Sequence, residues 1–159
     1  MEISATHQYP QPPRDAFALL TDPAFLEAVC VASDPLDYSV YVDGLRTGAR
    51  RTMKNHSSIE RFTGPTITVT DEVAWDPGDG DTRTGRTMVT VEGMPVTLAG
   101  TVILAPSGTG TSLTYSGELT VAIPLFGAAL ERQAAPLLLR ALELQAEVAQ
   151  TWDKDTATA

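Results

Sequence analysis

The chain has 159 residues, and its 20 acidic and 11 basic side chains give a net charge of -9, which would repel nucleic acid and anionic membrane surfaces alike. We therefore expect no nucleic-acid partner. The chain contains no run of about 18 apolar residues, so we also expect no membrane insertion. Cys30 is the only cysteine, which excludes an intrachain disulfide.

The N-terminal part of the chain predicts one strand followed by two short helices. Glu2 to Tyr9 alternates apolar and polar side chains, as a half-buried strand does. Three prolines close to one another end this strand, and the last of them, Pro13, suits the first turn of a helix. The pair Asp22-Pro23 then predicts an N-cap and the first position of a second short helix.

Six further segments alternate in the same way and end in turn residues, so each predicts a strand. They are Leu36–Val42, Arg50–Phe62, Ile67–Trp75, Arg83–Val91, Val96–Leu104 and Thr111–Ile123. Because the connections are short, we expect an antiparallel meander. The Arg50–Phe62 segment is the least regular. Phased by Met53 and Ile59 it directs Asn55 inward, whereas a slip of one residue would direct His56 inward instead.

Glycine occurs in the middle of two of these predicted strands. Gly100 and Gly117 fall on the same inward faces as Leu98 and Leu119. Because glycine gives up side-chain packing, its presence there indicates strong curvature of the sheet or the close approach of another segment.

The C-terminal segment from Ile123 to Trp152 predicts a long helix, because its apolar residues recur at spacings of three and four. Pro136 lies inside this pattern and removes a backbone donor, so we expect a kink or a break there. We predict a single domain over residues 1–153, followed by a disordered tail at residues 154–159. The first ten residues lack a basic patch followed by an apolar stretch, so we expect no signal peptide and a cytoplasmic location.

Two stretches carry a resemblance that covers nearly the whole chain. The opening, EISATHQYPQPPRDAFALLTDPAFLEAV, has a proline-marked helix and a Leu-Leu-Thr-Asp-Pro step, and the exit, VAIPLFGAALERQ, leads into the long helix. In this order of elements they resemble the START-like or Bet v 1-like (SRPBCC) superfamily, in an uncharacterised bacterial branch of unknown function. The resemblance implies an α+β helix-grip fold: a seven-stranded curved antiparallel sheet wrapped around the long helix, with a deep cavity between them. It also implies two short helices after the first strand. Members bind lipids, sterols or polyketides, and some are cyclases or co-chaperones.

The candidate binding residues lie on the inward face of the predicted sheet and on the long helix. Asp71 falls among apolar neighbours, where a carboxylate needs a partner, and Arg61 is the candidate counter-ion. Asn55, Asp71 and Tyr115 would orient the polar end of a ligand. The full candidate set is Tyr38, Met53, Asn55, Ile59, Asp71, Val73, Val89, Leu98, Tyr115, Leu119, Leu137 and Ala141.

We therefore expect the protein to bind a small hydrophobic or amphipathic molecule, lipid- or polyketide-like, in a central cavity. We expect no cofactor and no metal, because His7, His56 and Cys30 lack the close pairing of zinc ligands. Two alternatives stay open. One is a cyclase- or hydrolase-like enzyme that uses Asp71 or a histidine as a general base. The other is a protein-interaction module whose core is filled by its own side chains.

Overall fold

The computed structural model describes residues 1–55 and 60–152, without the side chains of residues 62 and 63. The elements in chain order are β1 (Glu2–Tyr9), α1 (Pro13–Leu20), α2 (Pro23–Ala32), β2 (Asp37–Asp43), β3 (Arg46–Lys54), α3 (Glu60–Thr63), β4 (Thr66–Trp75), β5 (Arg83–Val91), β6 (Val96–Ser107), β7 (Gly110–Val121) and α4 (Gly127–Gln150). The predicted α+β helix-grip fold is confirmed. The predicted tail, His56 and Ile59 all lie outside the described residues.

The seven strands form one sheet in which every neighbouring pair is antiparallel. Its order is β1-β7-β6-β5-β4-β3-β2, so β2 to β7 make a meander and β1 adds to its far end. The first two strands therefore occupy opposite edges of the sheet. Helices α1 and α2 carry the chain from one edge to the other.

Helix α2 begins as its sequence predicts. The Asp22 side chain accepts a hydrogen bond of 2.9 Å from the Ala24 amide, which satisfies one of the free donors of the first turn. Pro23 occupies the first turn, where its missing N–H costs nothing. The cap places Phe25, Val29 and Cys30 on the buried side of the helix.

The predicted strand over Arg50–Phe62 is wrong in its second half. Strand β3 ends at Lys54, and the short helix α3 occupies residues 60–63. Gly64 closes this helix in a left-handed conformation, with φ 82°, and its amide donates to the Glu60 carbonyl over 2.7 Å. Glycine is the residue that adopts this C-terminal cap without a steric penalty.

Helix α4 begins at Gly127 rather than at Ile123, because Leu125 has φ 71° and cannot continue a right-handed helix. The helix then runs through Pro136 to Gln150, so the predicted break is wrong, while the predicted bend stays a prediction. Pro136 and Arg132 are both exposed, so water can reach the carbonyl that the proline leaves without a donor. Within the described part of the chain, no helix is both long and apolar enough to cross a membrane.

The buried apolar residues form two clusters that hold α4 against one side of the sheet. The larger includes Phe25, Leu104 and Leu113 and reaches Ala149 near the end of α4. The smaller joins the sheet residues Ile3, Leu98 and Leu119 to Ala135 of the same helix. Helix α4 contacts β1, β7 and α2. The rest of the concave face is therefore left to line a cavity.

Strands β6 and β7 approach closely where two glycines face each other in register. A Cβ atom on Gly100 would lie 2.0 Å from the Ser116 carbonyl oxygen, and one on Gly117 would lie 2.8 Å from the Ala99 carbonyl oxygen. No residue with a side chain fits either position without moving the backbone. This is the close approach that mid-strand glycine predicts.

Candidate functional site

A cavity of about 690 Å³ lies between the concave face of the sheet and helices α2 and α4. Strands β3 to β7 and helices α2 and α4 supply most of its wall, and β1, α1 and the connections between elements add single residues. Its apolar lining includes Ile3, Leu20, Leu26, Val29, Ala49, Met53, Ile67, Val69, Val73, Val89, Val91, Leu98, Leu119, Val121, Leu130, Ala134, Leu137, Leu138, Ala141 and Leu144.

Strand β4 shows why the sequence builds this wall. Alternate side chains of an extended strand point to opposite faces, so every second residue meets the cavity. The lining residues of β4 are Ile67, Val69, Asp71, Val73 and Trp75. The alternation in the sequence thus produces an apolar surface that is interrupted once, at Asp71.

Asp71 forms an ion pair with Arg51 of the neighbouring strand β3. Arg51 Nη2 donates to Asp71 Oδ1 over 2.8 Å, and both side chains line the cavity. The Arg51 side chain is 12% exposed and the Asp71 side chain 37% exposed, so the cation is the more buried partner. Arg51 Nε is buried and makes no hydrogen bond within the described part of the chain. The pair is neutral as a whole, and the Arg51 guanidinium keeps an N–H group that is not bonded to Asp71.

Two tyrosines and a glutamine extend this polar region. Gln145 Nε2, on α4, donates to Tyr115 Oη over 3.2 Å and to Tyr9 Oη over 2.9 Å. Burial raises the pKa of Tyr115 to about 12, and the nearby Asp71 charge contributes to this rise. Burial also raises the pKa of Tyr9 well above its usual range. Both hydroxyls therefore keep their protons at neutral pH, and Tyr115, which lines the cavity, has one to donate.

Cys30 contributes a buried thiol to the same wall. Burial raises its pKa, an effect that the Arg51 charge partly offsets. A thiol in this state is a weak nucleophile, so its place in the cavity is that of a small apolar side chain.

Arg51, Asp71, Tyr115 and Gln145 are from here on called the polar cluster.

An edge-to-face aromatic contact joins the cavity residue Trp75 to α1. Phe17 meets Trp75 edge to face, with ring centroids 5.3 Å apart and planes at 82°. The guanidinium carbon of Arg83 lies 3.8 Å from the centre of the Phe17 ring, a cation–π contact on the same ring. Trp75 is both a cavity residue and a member of the larger core cluster. This aromatic contact therefore joins the cavity wall to the core.

Most of the residues predicted from the sequence come together in this cavity. Those that line it are Met53, Asn55, Asp71, Val73, Val89, Leu98, Tyr115, Leu119, Leu137 and Ala141. Asn55 directs its side chain inward, as the phase set by Met53 predicts. Its Nδ2 atom, however, donates to the backbone carbonyl of Gly64 over 2.6 Å, so it ties down the connection from β3 to β4. Ile59 lies outside the described residues.

Tyr38 and Arg61 do not line the cavity, although the sequence predicted that both would face it. Tyr38 pairs with Arg51 in the register between β2 and β3, but β2 is an edge strand, and Tyr38 is exposed beyond the cavity wall. Arg61 lies on the exposed surface of α3, and the counter-ion of Asp71 is Arg51. The signal for Arg51 was present in the sequence, since it precedes the inward-facing Met53 by two residues. Gln145 on α4 was also missed.

Within residues 1–55 and 60–152, no three histidine, cysteine, aspartate or glutamate side chains are grouped so as to hold a metal ion. The cavity combines the polar cluster with an apolar wall. Such an arrangement can bury an apolar molecule and hold one polar group of it in a fixed place.

The family model described as "Protein of unknown function (DUF2505)" matches residues 4–152. No curated protein matches the chain. Among solved structures, protein TTHA0849 of Thermus thermophilus is similar over 94% of both chains, at 20% identity and a TM-score of 0.66.

Two other similar structures have names that identify their fold. A STAR-related lipid transfer protein from Xanthomonas axonopodis is 12% identical, with 93% of this chain and 85% of that one covered and a TM-score of 0.61. A START superfamily protein from Mycobacterium smegmatis is 16% identical, with coverage of 92% and 97% and a TM-score of 0.55. At these identities the likeness concerns the fold alone, and that fold is the one that the START-like resemblance implied.

Proposed function

The chain belongs to the DUF2505 family, and from this premise we propose that it binds a small hydrophobic or amphipathic molecule, lipid- or polyketide-like, in the cavity beneath α4. The observation that carries the proposal is the composition of the cavity wall. The wall is mostly apolar, and the polar cluster is gathered at one part of it. The location that we expect remains the cytoplasm.

The size of the cavity supports a ligand of modest mass. Its volume of about 690 Å³ falls within the roughly 300–1,000 Å³ that is usual for small-molecule sites. Burial of apolar ligand surface would supply most of the affinity, at about 25 cal/mol per Å² before ordering costs are subtracted. The Xanthomonas axonopodis protein is named a lipid transfer protein, which supports the same class of ligand on the same fold.

The polar cluster supports an amphipathic rather than a purely hydrocarbon ligand. Arg51 and Tyr115 both line the cavity, and the guanidinium and the hydroxyl are hydrogen-bond donors. Because Arg51 is already neutralised by Asp71, a neutral acceptor such as a carbonyl or hydroxyl oxygen fits without a further counter-ion. We place the polar end of the ligand here and its apolar part along β4 to β7 and α4.

The two alternatives find less support. Asp71 is engaged by Arg51, and a carboxylate held in an ion pair is poorly placed to begin a reaction as a general base. The cavity itself argues against a core that is filled by its own side chains. Binding therefore remains the function that the geometry favours.

The test uses the purified full chain. Native mass spectrometry would look for a co-purifying small molecule, and titration with an uncharged fluorescent naphthylamine would measure binding to the cavity. Ala141→Phe places a ring in the cavity, while Ala128→Phe, on the same helix, changes an exposed residue outside the wall. We expect Ala141→Phe to weaken probe binding about tenfold or more, the free energy of a few buried methylene groups, and Ala128→Phe to leave it unchanged. Equal affinities in all three proteins would overturn the proposal.

A further inference from the structure

The connection between β7 and α4 presents apolar side chains to solvent. This β7–α4 loop comprises residues 122–126. Leu125 at its tip is 98% exposed, and Phe126 beside it is 52% exposed. Leu125 also has φ 71°, a conformation that is unfavourable for a residue with a Cβ atom. No packing of the Leu125 side chain offsets this cost, so the position is a candidate for a role outside the fold.

The loop is held in this shape by backbone hydrogen bonds. The amides of Phe126 and Gly127 donate to the Ile123 carbonyl over 3.3 and 2.8 Å. The Ala122 amide donates over 2.9 Å to the carbonyl of Pro95 in the turn between β5 and β6. The tip is thus preformed, and Leu125 needs no rearrangement to meet a partner.

The β7–α4 loop stands at one end of the cavity. Val121, the residue before it, and Leu130, in the first turn of α4, both line the cavity wall. Met94, in the turn to which the loop is bonded, lines the same wall. An apolar surface touched by the tip would therefore lie next to the space in which we place the ligand.

The charge distribution indicates which kind of partner the β7–α4 loop could contact. From Leu119 to Leu130 the chain has no charged side chain, and the whole chain carries a net charge of -9. A surface of anionic lipid would be repelled, so any contact must be hydrophobic. A protruding tip also suits a medium without fixed shape better than it suits a protein, which would have to supply a matching pocket.

We propose that the β7–α4 loop is a shallow membrane anchor, in which Leu125 and Phe126 enter the headgroup and acyl boundary of a bilayer with neutral headgroups. The anchor would bring the end of the cavity to the bilayer, so that an apolar ligand passes between the two with little exposure to water. The transfer step rests on the proposed function, whereas the anchoring does not. A contact of this kind departs from the expectation of no membrane insertion.

The experiment measures flotation of the full chain with phosphatidylcholine vesicles. Leu125→Gly removes the side chain while favouring the observed backbone conformation, so this variant should fold at least as well as the parent. Leu125→Asp adds a charge at the tip. Leu36→Asp is the control, since Leu36 is 64% exposed and outside the cavity wall. We expect about a tenfold or greater loss of vesicle partitioning in both Leu125 variants, the value of burying one leucine, and no loss in Leu36→Asp.

Further arms separate the possible causes. Naphthylamine binding without vesicles should be equal in the parent and in Leu125→Gly. If the parent floats but binds no probe, the proposed function fails and the anchor stands; if it binds probe but does not float, the anchor is overturned. Flotation that requires phosphatidylglycerol and is abolished by salt would also overturn it. So would a dimer on size-exclusion chromatography that Leu125→Gly dissociates, in the absence of any flotation.

Discussion

The guanidinium of Arg51 donates to the carboxylate of Asp71 across 2.8 Å, from one strand of the sheet to the next, inside a mostly apolar cavity. The two partners are not equally buried, since the cation is largely removed from solvent and the carboxylate keeps about a third of its surface. Loss of Asp71 would therefore leave a buried cation without its counter-ion, whereas loss of Arg51 would leave a carboxylate that water still reaches.

Removal of Asp71 alone should destabilise the protein. An unpaired carboxylate in an apolar cavity is costly, and its replacement by leucine would hold or raise stability, but the ion pair with Arg51 reverses that expectation. Asp71→Leu leaves the Arg51 guanidinium uncompensated, and we expect a loss of about 1–3 kcal/mol, reduced from the fully buried case by the exposure of Asp71. Urea unfolding would measure it. The double variant Arg51→Met/Asp71→Leu should recover most of the loss, and a double variant less stable than Asp71→Leu would contradict this account.

Stability should fall in alkaline solution because of Tyr115. Its pKa is about 12 in the folded chain and about 10 in the unfolded chain, so its stabilising contribution is complete below about pH 10. As the pH rises towards about 12, the unfolded chain loses its proton first and the free energy of unfolding declines. We expect the free energy of unfolding to decline less steeply in Tyr115→Phe. Urea unfolding at several pH values would measure it. Parallel curves for the two proteins would contradict the raised pKa.

The facing glycines should tolerate no side chain. In Gly100→Ala the new Cβ atom would lie 2.0 Å from a backbone carbonyl oxygen, which can be relieved only by separating β6 from β7. We expect a loss of about 2–4 kcal/mol, the upper range for a single substitution. Gly78→Ala is a suitable control, since nothing lies within 4 Å of its Cβ position and its φ is not positive. Equal thermal midpoints for the two variants would contradict the prediction.

Pro136→Ala tests whether the proline shapes the cavity. Alanine restores a backbone donor inside α4, so we expect higher stability, by up to about 3 kcal/mol. If the proline bends the helix, straightening it should also change naphthylamine affinity, because Leu137 and Ala141 beyond it line the cavity. Raised stability with unchanged affinity would confine Pro136 to folding.

The sequence predicted the wall of the cavity well because alternation along a strand is a local property. Val73, Val89 and Leu98 needed only the face of their own strand to be identified. Residues whose position depends on another strand were predicted less well. Tyr38 faces the same side as Arg51, but only the strand order reveals that β2 is an edge and leaves Tyr38 outside.

The counter-ion of Asp71 was misplaced for a related reason. Choosing Arg61 assumed that β3 continued to Phe62, whereas the strand ends at Lys54. Arg61 instead belongs to the short helix α3, which Gly64 closes in a left-handed conformation. Sequence periodicity does not reveal such a cap when the helix it closes is a single turn.

The pairing of β1 with β7 has a consequence for synthesis of the protein. Of the seven strands that the structure describes, β1 is synthesised before the others and β7 after them, yet the two pair, with Glu2 opposite Glu118 and Tyr9 opposite Thr111. Strand β1 must therefore wait for its partner in the sheet until β7 has been synthesised. Contacts so distant along the sequence form slowly and leave strands exposed in the meantime. The prolines that follow β1 and the polar side chains that alternate along it suit a segment that must stay free of other partners during that interval.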